Sequence, residues 1–154
     1  MPRSIARADQ VELDALYEFV RDRHHAVLIT TRADGRPQSS PVSCGLNSSN
    51  EIVVSTYPER SKTKNARRDP RVSVCILSDS WDGPYVHIDG TATVLDMPEA
   101  ADGLVEYFRC IAGEHSDWDE YREAMRVQDK SLISISIERW GPIATGGFPA
   151  RLAD

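Results

Sequence analysis

Six basic residues are concentrated in residues 58–71, a stretch that contains only two acidic ones. The stretch carries a net charge of +4 within a chain whose net charge is −6, so positive charge is local on an acidic protein. A local excess of this kind favours a site for an anion, with a solvated charged helix as the alternative. The basic residues are Arg60, Lys62, Lys64, Arg67, Arg68 and Arg71.

The same stretch has the signals of a short helix. Ser61 is the predicted N-cap, because its hydroxyl can accept a hydrogen bond from a free backbone N–H group. Asp69-Pro70 ends the helix, since the residue before a proline avoids helical geometry. Backbone N–H groups and the positive end of the helix dipole suit phosphate. With Arg60 and Lys62 at the same end, the sequence predicts a phosphate-binding helix start.

A second candidate region is the strand that contains Pro41. Asp34-Gly35 predicts a hairpin turn, and residues 38–46 form the returning strand. Pro41 cannot donate a ladder hydrogen bond, so it indicates an edge, a bulge or an opening in the sheet. An edge-strand proline without a role is the alternative. The backbone of residues 38–42 could bond the polar edge of a ligand there, with Ser40 as the contributing side chain or as a solvent-facing serine.

Composition excludes several classes of protein. A length of 154 residues with 27% charged and 40% hydrophobic residues predicts one globular domain. The acidic net charge argues against a nucleic-acid binder, and no apolar run approaches membrane-spanning length. The N-terminus lacks the apolar core of a secretory signal. Three widely spaced cysteines fit thiols in a reducing cytoplasm.

No motif identifies a catalytic side chain or a metal site. The Cys and His spacings do not resemble zinc ligation, and there is no nucleophile elbow. His87 is better explained as a hydrogen-bonded interface histidine than as a proton donor to substrate, and His115 by a local cap or turn bond. The sequence therefore predicts no catalytic residue and no metal ligand.

The hydrophobic pattern predicts a mainly β protein with flanking helices. Sequential strands joined by short turns indicate an antiparallel sheet, and six of them would close most easily as a small barrel. Gly90 is predicted to mark a bulge. The expectation is one domain over residues 1–154, with an N-terminal helical segment (1–22, the helix itself at 9–22 with Asp9 as cap), a helical insertion (97–128) and a C-terminal loop (140–154). The predicted strands are 25–31, 38–46, 51–56, 72–77, 85–95 and 131–137.

Order and motifs together resemble the pyridoxamine 5'-phosphate oxidase-like split-barrel proteins. More narrowly, the chain is similar to an actinobacterial branch that binds the deazaflavin coenzyme F420 in place of FMN. Four stretches carry the resemblance, of which the second and fourth are the most specific. They are residues 34–42, 60–71, 81–85 and 111–125.

The resemblance implies a six-stranded split barrel that forms a homodimer, with cofactor sites at the subunit interface. The cofactor's phosphate and acidic tail would meet the basic helix, and its ring would lie against residues 38–42. Trp81 and Tyr85 would come from the partner subunit. The implied cofactor-binding residues are Gln38, Ser40, Pro41, Val42, Thr56, Arg60, Ser61, Lys62, Thr63, Asn65, Trp81 and Tyr85.

The resemblance also implies a function. FMN-using members typically carry an Arg and a Lys on the third strand, whereas residues 52–56 contain neither, which favours F420. The leading hypothesis is a cytoplasmic F420-dependent oxidoreductase that transfers a hydride to an electron-poor small molecule such as a conjugated carbonyl, quinone or tetrapyrrole. An FMN-dependent oxidase or reductase, and a non-catalytic F420 or flavin carrier, are the alternatives.

Overall fold

Nine strands, four α-helices and one short 3₁₀ helix are formed by residues 4–153, the part of the chain that the computed structural model describes. Residues 1–3 of the predicted N-terminal segment and residue 154 of the predicted C-terminal loop lie outside it. The strands are β1 (Arg7–Asp9), β2 (His25–Thr31), β3 (Pro37–Ser43), β4 (Gly45–Leu46), β5 (Ile52–Thr56), β6 (Arg71–Leu77), β7 (Val86–Asp96), β8 (Ser131–Trp140) and β9 (Ile143–Thr145). The helices are α1 (Leu13–Arg21), α2 (Ser61–Arg68), α3 (Ala101–Ala112) and α4 (Trp118–Gln128), with the 3₁₀ helix at Ala150–Leu152.

The main sheet is antiparallel and curls into a half-barrel. Its strand order is β3-β2-β6-β7-β8-β5-β4, so β3 and β4 lie at opposite edges. Only Cys44 separates these two strands in the chain, and the two edges must therefore meet there. The mainly β class with flanking helices is confirmed, and the half-barrel is consistent with the predicted split barrel.

The predicted number of six strands is wrong, because the main sheet has seven. Residues 38–46 were expected to form one strand, but the chain leaves the ladder at Cys44. The Cys44 N–H donates to the carbonyl of His24 at 2.9 Å, and its side chain is fully buried at the bend. The bend is set by the packing around Cys44, and the alternation of polar and apolar residues along a strand does not predict such packing.

The interior of the half-barrel is filled by alternate residues of its strands. Val72, Val74 and Ile76 share one buried face of β6. β8 lacks this alternation because it is buried on both faces at its start. Ile133 packs into the barrel, whereas Leu132 packs into a second cluster under α3 and α4.

The two ends of the described chain pair with each other, which corrects two predictions. β1 pairs with β9, so Asp9 lies in a strand and does not cap a helix. α1 begins only at Leu13, with Glu12 as its cap residue. The predicted C-terminal loop contains β9 for the same reason. This pairing joins the extremes of the chain, and no local pattern indicates it.

Local signals were better predictors. Gly35 has a φ of 88° in the hairpin turn, and Gly113 ends α3 with a φ of 80°. The Asp117 carboxylate accepts from the Glu120 N–H at the start of α4. The register of β7 and β8 shifts between Asp89 and Gly90, which confirms the predicted bulge. None of the helices within residues 4–153 combines the length and apolar character needed to cross a membrane.

Candidate functional site

The basic helix predicted from the sequence is α2, which begins at Ser61. Its N-cap residue is Arg60, so the prediction that Ser61 caps the helix is wrong. Arg60 has extended backbone geometry, and no side chain caps the helix by a hydrogen bond. The first N–H groups of a helix have no partner inside it. The start of α2 therefore offers uncapped donors where the chain also places Arg60 and Lys62.

Three of the six basic residues are occupied by partners within the protein. Arg67 forms an ion pair with Asp96, and Arg71 pairs with Asp69 at 2.9 Å. Arg68 donates to the side-chain oxygen of Asn65 at 3.2 Å. These contacts leave the start of α2, not its end, with charge available to a ligand.

A third cation, distant in sequence, joins the start of α2. The Lys130 ammonium lies 4.0 Å from the centroid of the Tyr57 ring, and the Arg60 guanidinium lies 5.5 Å from the same centroid. We call Arg60, Lys62 and Lys130 the cation cluster. Among residues 4–153 no carboxylate forms an ion pair with any of the three. Sequence reasoning missed Lys130, because it is distant from Arg60 in the chain and lies outside the four stretches that carry the resemblance.

The three charges of the cation cluster act on one another. Partial burial lowers the pKa of Lys62 below its ordinary value, and the positive charges of Arg60 and Lys130 lower it further. Burial and like charge both disfavour the protonated amine. A bound anion would offset the repulsion between these charges.

Replacing Lys62 with Met should therefore stabilise the ligand-free protein, by about 0.5 kcal/mol at neutral pH, the scale of one like-charge repulsion on a helix. The pKa of Lys62 is lower in the folded than in the unfolded state, so the unfolded chain binds more protons between these two values. Stability of the wild type should consequently rise with pH through that window, and the rise should be absent in Lys62→Met. Urea unfolding across alkaline pH measures both effects.

Lys64→Met is the matched control for this experiment. Lys64 is exposed on the same helix and is not among the charges that act on Lys62. It should leave both the stability at neutral pH and its pH dependence close to those of the wild type. A Lys62→Met protein that is less stable than the wild type would contradict the repulsion.

Thr56 and Thr63 hold the start of α2 on the end of β5. The Thr63 hydroxyl donates to the carbonyl of Tyr57 at 2.7 Å and lies 3.0 Å from the Thr56 hydroxyl. The Thr63 side chain is 0% exposed. Both hydroxyls therefore contact the protein, and they fix Tyr57 and Arg60 in place. Their predicted contact with a phosphate stays a prediction.

A polar relay connects α2 to the edge strand β3. Asn65 donates to the hydroxyl of Thr30 at 3.1 Å, and Thr30 donates to the side-chain oxygen of Gln38 at 3.2 Å. The Gln38 amide in turn donates to the Ser40 hydroxyl at 2.8 Å. Ser40 accepts in this relay, so its own hydroxyl hydrogen can be donated to a ligand. The structure thus brings Asn65, Gln38 and Ser40 together, and Thr30 is the link that the sequence did not indicate.

The position of β3 at the edge of the sheet accounts for the environments of Pro41 and Val42. β3 is the last strand of the sheet, and Pro41 pairs only with Val27 of β2, as an edge proline should. Pro41 is exposed, whereas Val42 is half-buried and packs against the barrel core. Gln38, Ser40 and Val42 therefore share the inner face of β3, and Pro41 points to the opposite face.

Trp81 and Tyr85 follow β6 in the chain, whereas α2 precedes it. They are 88% and 42% exposed and line a cavity of about 750 Å³ at the C-terminal end of β6. α2 leads into the other end of β6, about 20 Å away at the rise of an extended strand. Gly146 and Gly147, from the segment predicted to be loop, form part of the cavity wall.

Other titratable groups form local structural contacts. Asp89 accepts hydrogen bonds from Ser73, Arg139 and His87, which together lower its pKa to about 2. His115 accepts from the Asp117 N–H at 2.9 Å, the local turn contact that was predicted. No three His, Cys, Asp or Glu side chains within residues 4–153 converge as a metal ion would require.

The class of protein to which this half-barrel belongs follows from its match to a known family. A profile of the family described as pyridoxamine 5'-phosphate oxidase matches residues 13–144. The match spans most of the chain, and the protein therefore belongs to the pyridoxamine 5'-phosphate oxidase family.

Three solved structures illustrate the range of proteins that share this fold. A conserved hypothetical protein of Mycobacterium tuberculosis, Rv2991, is 25% identical, with a TM-score of 0.71 over 87% of this chain and 86% of that one. A protein described as an F420 reductase is 19% identical, with a TM-score of 0.59 over 80% and 94%. A FAD-binding protein of Mesorhizobium loti is 14% identical, with a TM-score of 0.64 over 93% and 100%. These three structures share the fold of this chain.

Proposed function

We propose that this protein is an F420-dependent oxidoreductase of the pyridoxamine 5'-phosphate oxidase family, from the deazaflavin-using branch found in actinobacteria. The observation that carries the proposal is the cation cluster: Arg60 and Lys130 lie over the Tyr57 ring, their charges act on Lys62, and none of the three has a carboxylate partner among residues 4–153. One of the similar solved structures is described as an F420 reductase.

The donor set fits a deazaflavin that ends in a phosphodiester and a glutamate tail. Arg60 can donate two parallel hydrogen bonds to a phosphate, and Lys62 adds a point charge. The uncapped N–H groups at the start of α2 also favour an anion, as these two side chains do. The residues that would hold the anionic part are therefore Arg60, Lys62 and the backbone at Ser61.

The ring would lie against the inner face of β3. Gln38 is fixed by Thr30, and Ser40 keeps a hydroxyl hydrogen for a ligand. Asn65 joins this face to α2, so one relay sets the distance between the ring side and the anion side of the site. When bound, reduced F420 would supply the hydride. The contribution of the chain is then to bind, orient and exclude water, which explains why no catalytic side chain is predicted.

An FMN-dependent enzyme of the same fold is the second candidate. FMN ends in one phosphate, which Arg60 and Lys62 could hold. β5 carries no basic residue to add phosphate contacts, and its only site neighbour, Thr56, bonds to Thr63. A single phosphate would also leave Lys130 without a counter-charge. These two observations favour the longer polyanion.

The proposal includes a homodimer in which each site is completed by the partner subunit. Trp81 and Tyr85 are exposed and follow β6, whereas α2 precedes it, and in the proposed dimer they would complete the site of the second copy. Light scattering should give twice the mass of one chain, and a monomeric protein would remove Trp81 and Tyr85 from the site.

The free thiols of Cys44, Cys75 and Cys110 favour a reducing compartment, the cytoplasm, which cell fractionation would check.

Titration with F420 and with FMN, followed by fluorescence, tests the cofactor. We expect F420 to bind at least tenfold more tightly than FMN, because the cation cluster has one more positive charge than a single phosphate engages. The preference should decrease as salt is raised, since the charges are partly exposed. Tight FMN binding with no F420 binding would show that the cofactor assignment is wrong.

Turnover separates an enzyme from a carrier. Reduced F420 mixed with a panel of quinones and conjugated carbonyls should be oxidised faster in the presence of the protein. Binding without any acceleration across the panel would favour the carrier.

A further inference from the structure

Tyr57 is the residue around which two of the three cations are arranged. Arg60 and Lys130 both lie within 5.5 Å of its ring centroid, close enough for cation–π attraction. Its hydroxyl donates to the side-chain oxygen of Gln128 at 3.2 Å. Tyr57 therefore connects the start of α2 to the end of α4 through its ring and through its hydroxyl.

The end of α4 directs Lys130 toward this ring. Asp129 has the left-handed φ of 52°, and its N–H donates to the carbonyl of Arg126. The Lys130 N–H donates to the carbonyl of Met125 at 3.1 Å. Together these bonds form the Schellman motif, which fixes the direction of the chain after a helix. The position of Lys130 is thus set by the backbone and not by a flexible loop.

We propose that Lys130, held on Tyr57, forms a second anion subsite beside Arg60 and Lys62, and that the natural ligand carries a second anionic group beyond its phosphate. The inference rests on the proposed function, for which the second group is the carboxylate tail of F420. Lys130 is a binding residue in this scheme, and Tyr57 is a positioning residue.

A purely structural role for Lys130 makes a different prediction. In that case the cation–π contact would only hold α4 against α2, and removing the ammonium would lower stability without changing ligand preference. The geometry argues against this role, because Lys130 and Arg60 lie over the same Tyr57 ring and neither has a carboxylate partner among residues 4–153.

The test compares two ligands on matched variants. Lys130→Gln should weaken F420 binding about tenfold, the effect of one lost charge-assisted contact. It should change binding of a deazaflavin nucleotide that ends at the phosphate by less than about twofold. Lys64→Gln removes the same charge from an exposed position that does not contact Tyr57, and should preserve the affinity for both ligands.

Tyr57 is tested by rescue. Tyr57→Phe keeps the ring and should retain tight F420 binding, whereas Tyr57→Leu removes the ring and should lose as much affinity as Lys130→Gln. Thermal unfolding of both variants shows whether the loss reflects folding. Equal losses in Tyr57→Phe and Tyr57→Leu would assign the effect to the hydroxyl and overturn the role of the ring.

The outcomes separate the inference from the function. If the wild type binds F420 and Lys130→Gln binds it equally well, the subsite is wrong and the proposed function stands. If the wild type does not bind F420, the function is wrong, and inorganic tripolyphosphate becomes the probe. Stronger thermal stabilisation by tripolyphosphate than by phosphate, lost in Lys130→Gln, would then uphold the subsite. Equal stabilisation by the two anions would overturn it.

Discussion

The double variant Arg60→Ala, Lys62→Ala is expected to abolish measurable F420 binding while the protein stays folded. Each charge-assisted hydrogen bond contributes about 1.5–3 kcal/mol, so loss of both should weaken binding by at least about 100-fold. Neither side chain has an ion-pair partner among residues 4–153, so we expect the double variant to fold. Fluorescence titration measures the affinity, and circular dichroism with thermal unfolding checks the fold.

Arg67→Ala with Arg71→Ala is the matched control, because it removes two positive charges from the same segment. These charges are already paired with Asp96 and Asp69. The control should retain F420 affinity within a few-fold of the wild type, although the broken ion pairs cost some stability. A loss as large as that of the first variant would mean that the segment attracts anions only through its summed charge, and the assignment to the start of α2 would fall.

Gly90→Ala should be the most destabilising single methyl addition to the sheet. A Cβ atom at Gly90 would lie 2.2 Å from the carbonyl oxygen of Ser136 and 2.8 Å from a methyl carbon of Ile135. The oxygen belongs to the backbone of β8 and cannot move without opening the ladder between β7 and β8. Overpacking of this kind costs about 3 kcal/mol, a large part of the stability of a domain. The midpoint of urea unfolding measures it.

Gly146→Ala is the comparison for this change, because no heavy atom lies within 4 Å of the position its Cβ would take. It should unfold within about 0.5 kcal/mol of the wild type. A Gly90→Ala protein of wild-type stability would show that the bulge between Asp89 and Gly90 can widen. Lack of room for a Cβ atom would then not explain why this position is glycine.

Where a feature depends on neighbours in the chain, the sequence was a reliable guide. The turn at Gly35 and the bulge at Gly90 each need only a few adjacent residues, and both were predicted. The buried face of β6 also follows from alternation alone. The same logic failed at Ser61, since its suitability as a cap did not decide where α2 begins.

Features that join distant segments were not predictable in this way. The bend at Cys44, which brings the two edges of the sheet together, depends on what the curled sheet must bury. The pairing of β1 with β9 joins the two ends of the described chain. Thr30 became part of the relay between Asn65 and Gln38 only because β2 lies between α2 and β3.

The basic stretch shows the division most clearly. Sequence alone located a concentration of positive charge and a helix start, because composition and capping signals are local. Tertiary structure decided which charges are available, since Asp96 is brought to Arg67 from a distant strand. It also added Lys130, which the turn after α4 places on Tyr57. Coulomb energy depends on distance in space, and the order of residues in a chain does not specify that distance until the chain has folded.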